Sequence, residues 1–380
     1  MESAASSSLA AVVGTALVLR RWLCKPTYNS IILTGTDGST THMPPFETQE
    51  QLDRVTSYLT SDAEGALDPM VDVWIATYPK CGTTWLQQIC VELLRTDVAD
   101  DAVAPTKKSF MLSPWPEHTF GNDPPRSKVN ENGLARDPTF FRGHSAADMA
   151  DCVMGPPEAR CRPMKTHAPV TLLPGAAATK EDRVRAIVIT RNAKDACVSM
   201  YHHASRIPVF GYDGGFLADW THRWSEGSVE SGCYFEWHRQ WYVRYLEGKA
   251  EENILWLTFE AIKGNPLCEI AKIARFLHLD TVPGRSASDF EALVKRAHES
   301  SSFKKMKAQY SNTRFGAKKG GIDSGMPNSG HFRKGGVGDW RNHFNRGESD
   351  RFDALQQEKL GRKHPDLVAM YDFGVDGQAW

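Results

Sequence analysis

This 380-residue chain has none of the usual metal-binding cysteine patterns. Its eight cysteines, Cys24, Cys81, Cys90, Cys152, Cys161, Cys197, Cys233 and Cys268, form no CxxC pair and no Cys/His cluster at ligand spacing. No metal is implied, and single cysteines scattered over a long chain point to a reduced, cytoplasmic setting. An excess of one charge sign is also missing. Lys plus Arg number 45 against 46 for Asp plus Glu, a formal net charge of −1. That balance excludes a protein that coats nucleic acid by bulk charge, so no nucleic-acid partner is expected. Gly 30 and Pro 21 are too few for a collagen-like or low-complexity chain, and there is no internal repeat.

A comfortable membrane span is absent too. Ser3 to Leu19 carries no charge, but only Glu2 precedes it and Arg20-Arg21 follow, the reverse of a secretory signal. As a helix it would reach about 25 Å, short of the ~30 Å hydrocarbon core. Residues 1–40 therefore read as an extension. Any membrane contact through residues 4–19 is weak and leaves the remainder tethered with its bulk facing the cytosol.

What the chain does contain is strand–helix alternation. Val71 to Thr77, Val184 to Thr190 and Ile254 to Phe259 are short apolar runs. A polar turn and a helical pattern follow each one, which predicts an α/β fold: one domain with a central parallel sheet flanked by helices. In such sheets ligands bind beyond the carboxyl ends of the strands. Residues 105–161 differ. Pro105, Pro114, Pro116, Pro124, Pro125, Pro138, Pro156 and Pro157 interrupt them, so a long loop-rich insertion is expected there.

The first turn, Pro79-Lys80-Cys81-Gly82-Thr83-Thr84-Trp85, joins a strand to a helix start through glycine. That arrangement leaves backbone N–H groups around an anion, with Lys80 as a point charge and two threonine hydroxyls as donors. An ordinary turn with a surface lysine would share part of this pattern. A nucleotide kinase would not: GxxxxGK followed by Ser or Thr sets its lysine after the second glycine, whereas Lys80 precedes Gly82.

Thr77 to Trp85, TYPKCGTTW, resembles the phosphosulfate-binding loop of the cytosolic sulfotransferases. Three further segments resemble that family in the same order. They are Lys165-Thr166-His167, Arg191 to Ser199 (RNAKDACVS) and Arg333 to Trp340 (RKGGVGDW), the last with Phe332 before it. The resemblance runs from about residue 45 to 372, and it implies the P-loop-like sulfotransferase domain over those residues. It also implies transfer of a sulfuryl group from 3′-phosphoadenosine 5′-phosphosulfate (PAPS), the co-substrate, to a hydroxyl or amine of a small-molecule acceptor such as a phenol, alcohol, steroid or amine. By that resemblance Lys80, Cys81, Gly82, Thr83 and Thr84 hold the 5′-phosphate and Trp85 stacks on adenine. Arg191, Ser199, Arg333, Lys334 and Gly335 hold the 3′-phosphate. Ser301 and Phe303 match a Thr-Ser-Phe segment near the nucleotide, and Phe259 stands where the family has tyrosine. His167 takes the acceptor proton, Lys165 stabilises charge on the transferred group, and Lys80 supports the leaving oxygen.

Charge supports this on its own terms. Residues 301–351 hold eleven Lys or Arg against four Asp or Glu, a local basic excess in a near-neutral chain. His202, His203, His222 and His238 read as ordinary surface or core histidines. Cys81 replaces the family's serine, and Phe259 lacks a tyrosine hydroxyl, which leaves open a non-catalytic nucleotide-binding module. The family's dimer motif, Lys-xxx-Thr-Val-xxx-Glu, has no Thr-Val counterpart after Arg341, so a monomer, or a dimer through another surface, is expected.

Overall fold

The structure is a computed structural model. It describes residues 28–35, 38–44, 48–59, 61, 68, 71–95, 112–116, 152–173, 185–207, 210–212, 214–247, 253–310 and 333–371. The apolar run at residues 4–19 and Phe332 lie outside these residues, as does most of the 105–161 segment.

The chain enters through an antiparallel hairpin, β1 (Ile31–Thr34) and β2 (Thr40–Met43), then α1 (Gln49–Leu59). Leu33 and Met43 are buried in the main core, and Tyr28 stacks on Phe210 at 5.3 Å. The domain start read from the sequence, at residue 45, lies after this hairpin, which is anchored by Leu33 and Met43.

The central sheet has four parallel strands in the order β4-β3-β5-β6. They are β3 (Asp72–Thr77), β4 (Arg162–Thr166), β5 (Arg185–Thr190) and β6 (Ile254–Thr258). Every residue of β3 and β5 is buried. Successive side chains go to opposite faces: Val73, Ile75, Ile187 and Ile189 enter one core, Trp74, Ala76, Ala186 and Val188 the other. Helix α2 (Thr83–Leu94) covers the first face through Leu86, Ile89, Cys90 and Leu93. Helices α3 (Ala193–Ala204), α4 (Leu217–Ser225) and α5 (Tyr234–Glu247) cover the second, with Trp220, Trp224, Trp237 and Trp241 buried. After β6 come α6 (Phe259–Gly264), α7 (Pro266–Phe276), α8 (Ala287–Ser300), α9 (Phe303–Tyr310), α10 (Arg346–Gln356) and α11 (Pro365–Tyr371). Ile270, Ile273 and Ala274 of α7 and Leu293, Val294 and Ala297 of α8 complete the first core.

The strand β4 was not legible as an apolar run. It is Arg-Pro-Met-Lys-Thr, and it works because it is an edge strand, where Pro163 needs no ladder N–H. Its outer side is covered, since the Lys165 N–H donates to the Pro114 carbonyl at 2.7 Å. Its register is pinned by charge. Arg162 and Asp72 are paired residues on adjacent strands, and the guanidinium donates twice to the carboxylate, at 2.6 and 2.7 Å, with both side chains buried. Removing one partner strands a buried charge, so Arg162→Ala or Asp72→Ala should each cost about 3–5 kcal/mol. An apolar replacement of both should cost much less. Urea unfolding of the two single variants and the double variant checks this.

The connection after β3 runs to β4 on one side, and that after β5 runs to β6 on the other. The carboxyl ends of β3 and β5 therefore form the topological switch point, where α/β sheets hold ligands.

Candidate active site

The turn after β3 is held in a conformation few residues adopt. Lys80 has φ 71° and Gly82 φ 108°. A Cβ on Gly82 would lie 3.0 Å from the Phe259 ring, so the position needs glycine for backbone and space alike. Tyr78, fully buried, donates its hydroxyl to the Gly232 carbonyl at 2.9 Å. The Cys81 N–H closes the turn on the Tyr78 carbonyl at 3.2 Å, and the first backbone bond of α2 runs from Leu86 N–H to Gly82. The amides of Thr83 to Trp85 thus lie in a first turn that has no acceptor inside the helix. Thr83 directs its hydroxyl back to Thr77 Oγ1 at 2.5 Å, and Thr84 and Trp85 are half-buried. The Cys81 side chain joins the core, where burial pushes its thiol up to about 12. The cysteine therefore contributes packing here.

Arg191, just beyond β5, ties this turn to the 333–338 segment. Its Nη1 donates to the Lys80 carbonyl and its Nη2 to the Gly336 carbonyl, each at 3.0 Å. The guanidinium lies 4.5 Å from the centre of the Phe259 ring, a cation–π contact that fits phenylalanine as well as tyrosine. Asp195 fixes the far end of the segment by accepting from the Gly338 and Trp340 N–H groups at 2.6 and 2.9 Å. Gly335 has φ 64°, and a Cβ there would fall 2.6 Å from the Phe303 ring. Trp85 and Phe303 pack together around Met306. Arg333 and Lys334 both bind Asp339, at 2.6 and 2.5 Å. Burial opposes that carboxylate's charge, but bonds from Lys334, Asn342 and Arg333 prevail and hold it well below the ordinary range. Ser199 is half-buried on α3, whereas Ser301 is fully buried with its hydroxyl on the His298 carbonyl.

The third group follows β4. His167 stands one residue past the strand, and its Nδ1 lies 2.7 Å from the Thr77 carbonyl. A carbonyl only accepts, so Nδ1 carries the proton and Nε2 the lone pair. The backbone here is fixed by the Trp237 indole N–H, which reaches the His167 and Ala168 carbonyls at 3.0 and 3.1 Å. Lys165 Nζ sits 3.5 Å over the Trp115 ring, and that ring meets His167 edge-on at 5.1 Å.

Register explains why these parts meet. Thr166 pairs with Ala76, so His167 leaves β4 beside Thr77, and the phosphate-type turn leaves β3 from that same residue. Arg191 and Arg333 are near enough to depress Lys80, which burial pushes down to about 8. Two residues were missed in the sequence. Trp115 sits among prolines with no periodicity. Glu230 is a buried acid near Lys80 and Lys165 that no motif marked. His203 also has a different setting from the one expected, 3.5 Å from Lys80 Nζ. His238 is a core histidine bonded to the Tyr234 carbonyl. Among the described residues no group of His, Cys, Asp and Glu could hold a metal ion, and no helix is long and apolar enough to cross a membrane.

Comparison with known proteins bears on the family and the fold. The sequence model of the sulfotransferase domain family matches residues 71–364. The chain is 30% identical to sulfotransferase 1C2 of Oryctolagus cuniculus over 291 residues, which is 76% of this chain and 83% of that protein. It is 29% identical over 289 residues to cytosolic sulfotransferase 1 of Danio rerio, 76% and 82% of the two chains. Two solved structures share the fold. Mouse sulfotransferase SULT7A1 complexed with PAP has a TM-score of 0.55 and 22% identity, covering 87% of this chain and 96% of that one. Retinol dehydratase in complex with androsterone and inactive cofactor PAP has a TM-score of 0.56 and 20% identity, covering 88% and 90%. The turn after β3, the Arg191 tie and the histidine after β4 thus sit inside a matched domain that spans most of the chain, which belongs to the sulfotransferase family and is a sulfuryl-transferring enzyme.

Proposed function

We propose that the chain transfers a sulfuryl group from PAPS to a hydroxyl or amine of a small acceptor, with His167 as general base. The observation that carries this reading is the 2.7 Å bond from His167 Nδ1 to the Thr77 carbonyl. It leaves the Nε2 lone pair as the basic site and fixes it relative to the phosphate-type turn that starts at the same residue.

The residues fit the donor. Gly82 and Gly335 both hold left-handed backbone, a conformation that can turn successive N–H groups toward an anion. Lys80 and the amides of Cys81, Gly82 and Thr83, with the Thr84 hydroxyl, bind the 5′-phosphate end; Gly82 and Thr83 bear more of this than Cys81, whose N–H already closes the turn. Arg191, Ser199, Arg333, Lys334 and the Gly335 N–H bind the 3′-phosphate. Trp85 and Phe303 flank adenine, while Phe259 supports Arg191 and Gly82. Bound there, the donor supplies a sulfuryl group on a phosphate leaving group. His167 then takes the acceptor's proton at Nε2, Lys165 offsets charge on the transferred group, and Lys80 offsets charge on the departing oxygen. Solved neighbours complexed with PAP support the donor assignment, and one of them holds androsterone, an alcohol of the proposed acceptor class.

The sulfotransferase body runs from the hairpin that follows Tyr28 to about residue 372, with the 105–161 segment contributing Trp115 beside the acceptor side. A cytoplasmic location is supported by the name of the Danio rerio relative. A monomer, or a dimer through another surface, is the proposed state: Asn345 and Glu348 form the capping box that opens α10 where the family's dimer motif would stand.

Incubating the purified protein with labelled PAPS and a panel of phenols, steroids, amines and aliphatic alcohols tests the function. Label transfer to none of them would overturn it. Donor binding should also discriminate by the 3′-phosphate. Two charge-assisted bonds from Arg333 and Lys334 predict that adenosine 3′,5′-bisphosphate binds at least about tenfold more tightly than adenosine 5′-phosphate. Calorimetry on both nucleotides measures this, and equal affinities would count against the 3′-phosphate assignment.

A further inference from the structure

Glu230 lies in the turn between α4 and α5, only 6% exposed, and the proposed chemistry gives it no task. Its Oε1 is 3.9 Å from His203 Nε2, and His203 Nδ1 is 3.5 Å from Lys80 Nζ. An ammonium has donors only, so in that contact Nδ1 offers its lone pair, and Nε2 carries its proton toward the carboxylate. One imidazole thereby links a buried acid on the second core to the lysine of the donor turn.

We propose that Glu230 is a positioning residue for sulfuryl transfer: through the His203 imidazole it fixes where the Lys80 ammonium lies and sets a carboxylate on that side of it. The proposal rests on Lys80 being the donor-site lysine. Its physical basis is burial, nearly complete for Glu230 and partial for Lys80. Burial pushes Glu230 up to about 7, and Lys165 and then Lys80 pull it back. Burial pushes Lys80 down to about 8, and Glu230 pulls that back, while Arg191 and Arg333 lower it further. Cys81 beside it is a neutral thiol. At Lys80 the Glu230 carboxylate acts against the two guanidinium groups, of which Arg333 is itself paired with Asp339. Its own position is fixed by backbone, since the Glu230 N–H donates to the Tyr28 hydroxyl at 3.3 Å. That phenol is raised well above its ordinary value by burial and by Glu230, so it stays neutral.

The test is calorimetric binding of adenosine 3′,5′-bisphosphate to the full chain from pH 6 to 10, which needs no acceptor. For the unsubstituted protein, affinity should fall as pH rises through the Lys80 ionisation. In Glu230→Gln the midpoint of that fall should move down by about one pH unit or more, the usual effect of removing a close opposite charge. Glu230→Asp, shorter but charged, should restore most of the shift. Adding Lys80→Met to Glu230→Gln should abolish the alkaline fall, which assigns it to Lys80. A purely structural role would weaken binding equally at every pH. A folded Glu230→Gln variant with an unmoved midpoint would overturn the proposal. If that variant does not fold, His203→Phe interrupts the same link, and an unmoved midpoint there is equally fatal. Failure of the unsubstituted protein to bind the bisphosphate at any pH would overturn the donor assignment, and this inference with it.

Discussion

His167→Ala should lower turnover on an aliphatic alcohol by about 10²–10⁴-fold, the usual worth of a positioned general base. Donor affinity should barely change, because the phosphates are assigned to Lys80, Arg191 and Arg333, on other elements. The lost Nδ1 bond to Thr77 is a backbone-facing contact at a turn that Trp237 also holds, so the variant should fold. Steady-state kinetics separate the two effects, since kcat falls while KM for the donor stays. An acidic phenol, already partly ionised, should depend on His167 much less than an alcohol does. The pH dependence follows from the same roles. Lys80 acts as a cation, and burial has pushed it down to about 8. Activity is therefore lost as pH rises through the Lys80 ionisation. Near wild-type turnover on an alcohol by a folded His167→Ala protein would remove the base assignment.

The parts of this fold that were legible in the sequence are those where burial acts on both faces. The strands β3 and β5 are buried throughout and apolar between their opening charges, Asp72 and Arg185, and their closing threonines, because each face meets helices; β6 is apolar up to Thr258. Strand β4 escaped notice because an edge position relaxes that demand. Pro163 is tolerated there, and Arg162 is neutralised by Asp72 from the neighbouring strand, a pairing that no local pattern reveals. The site divides in the same way. Gly82 and Gly335 were legible because their backbone and space constraints admit little else. The Lys-x-His pair was legible as a motif, although its strand was not. Glu230 and His203 were not legible at all, since one sits in a turn and the other late in α3, and only tertiary packing brings both to Lys80. Cys81, which the resemblance sets among the groups that hold the 5′-phosphate, packs its side chain inward and closes the turn with its N–H.

Lys80 separates activity from stability. The side chain is expected to meet both the phosphate and the leaving oxygen, so Lys80→Ala should lower turnover by about 10²–10³-fold, as loss of one preorganised charge contact at a transition state does. It should weaken donor binding as well, unlike His167→Ala. The scaffold should survive, because Arg191 holds residue 80 by its carbonyl at 3.0 Å and not by its side chain. The backbone makes a sharper test available. A φ of 71° is a left-handed conformation that costs a non-glycine residue roughly 1–2 kcal/mol. Glycine relieves that strain, at an entropic cost of roughly 0.5–1 kcal/mol in the unfolded chain. Lys80→Gly should therefore melt at or slightly above the temperature of the unsubstituted protein while losing turnover as fully as Lys80→Ala. An ordinary structural lysine would show the opposite, a lower melting temperature with activity retained. Calorimetric melting beside single-turnover kinetics on the two variants decides between them, and a Lys80→Gly protein that stays active would end the role assigned to this side chain.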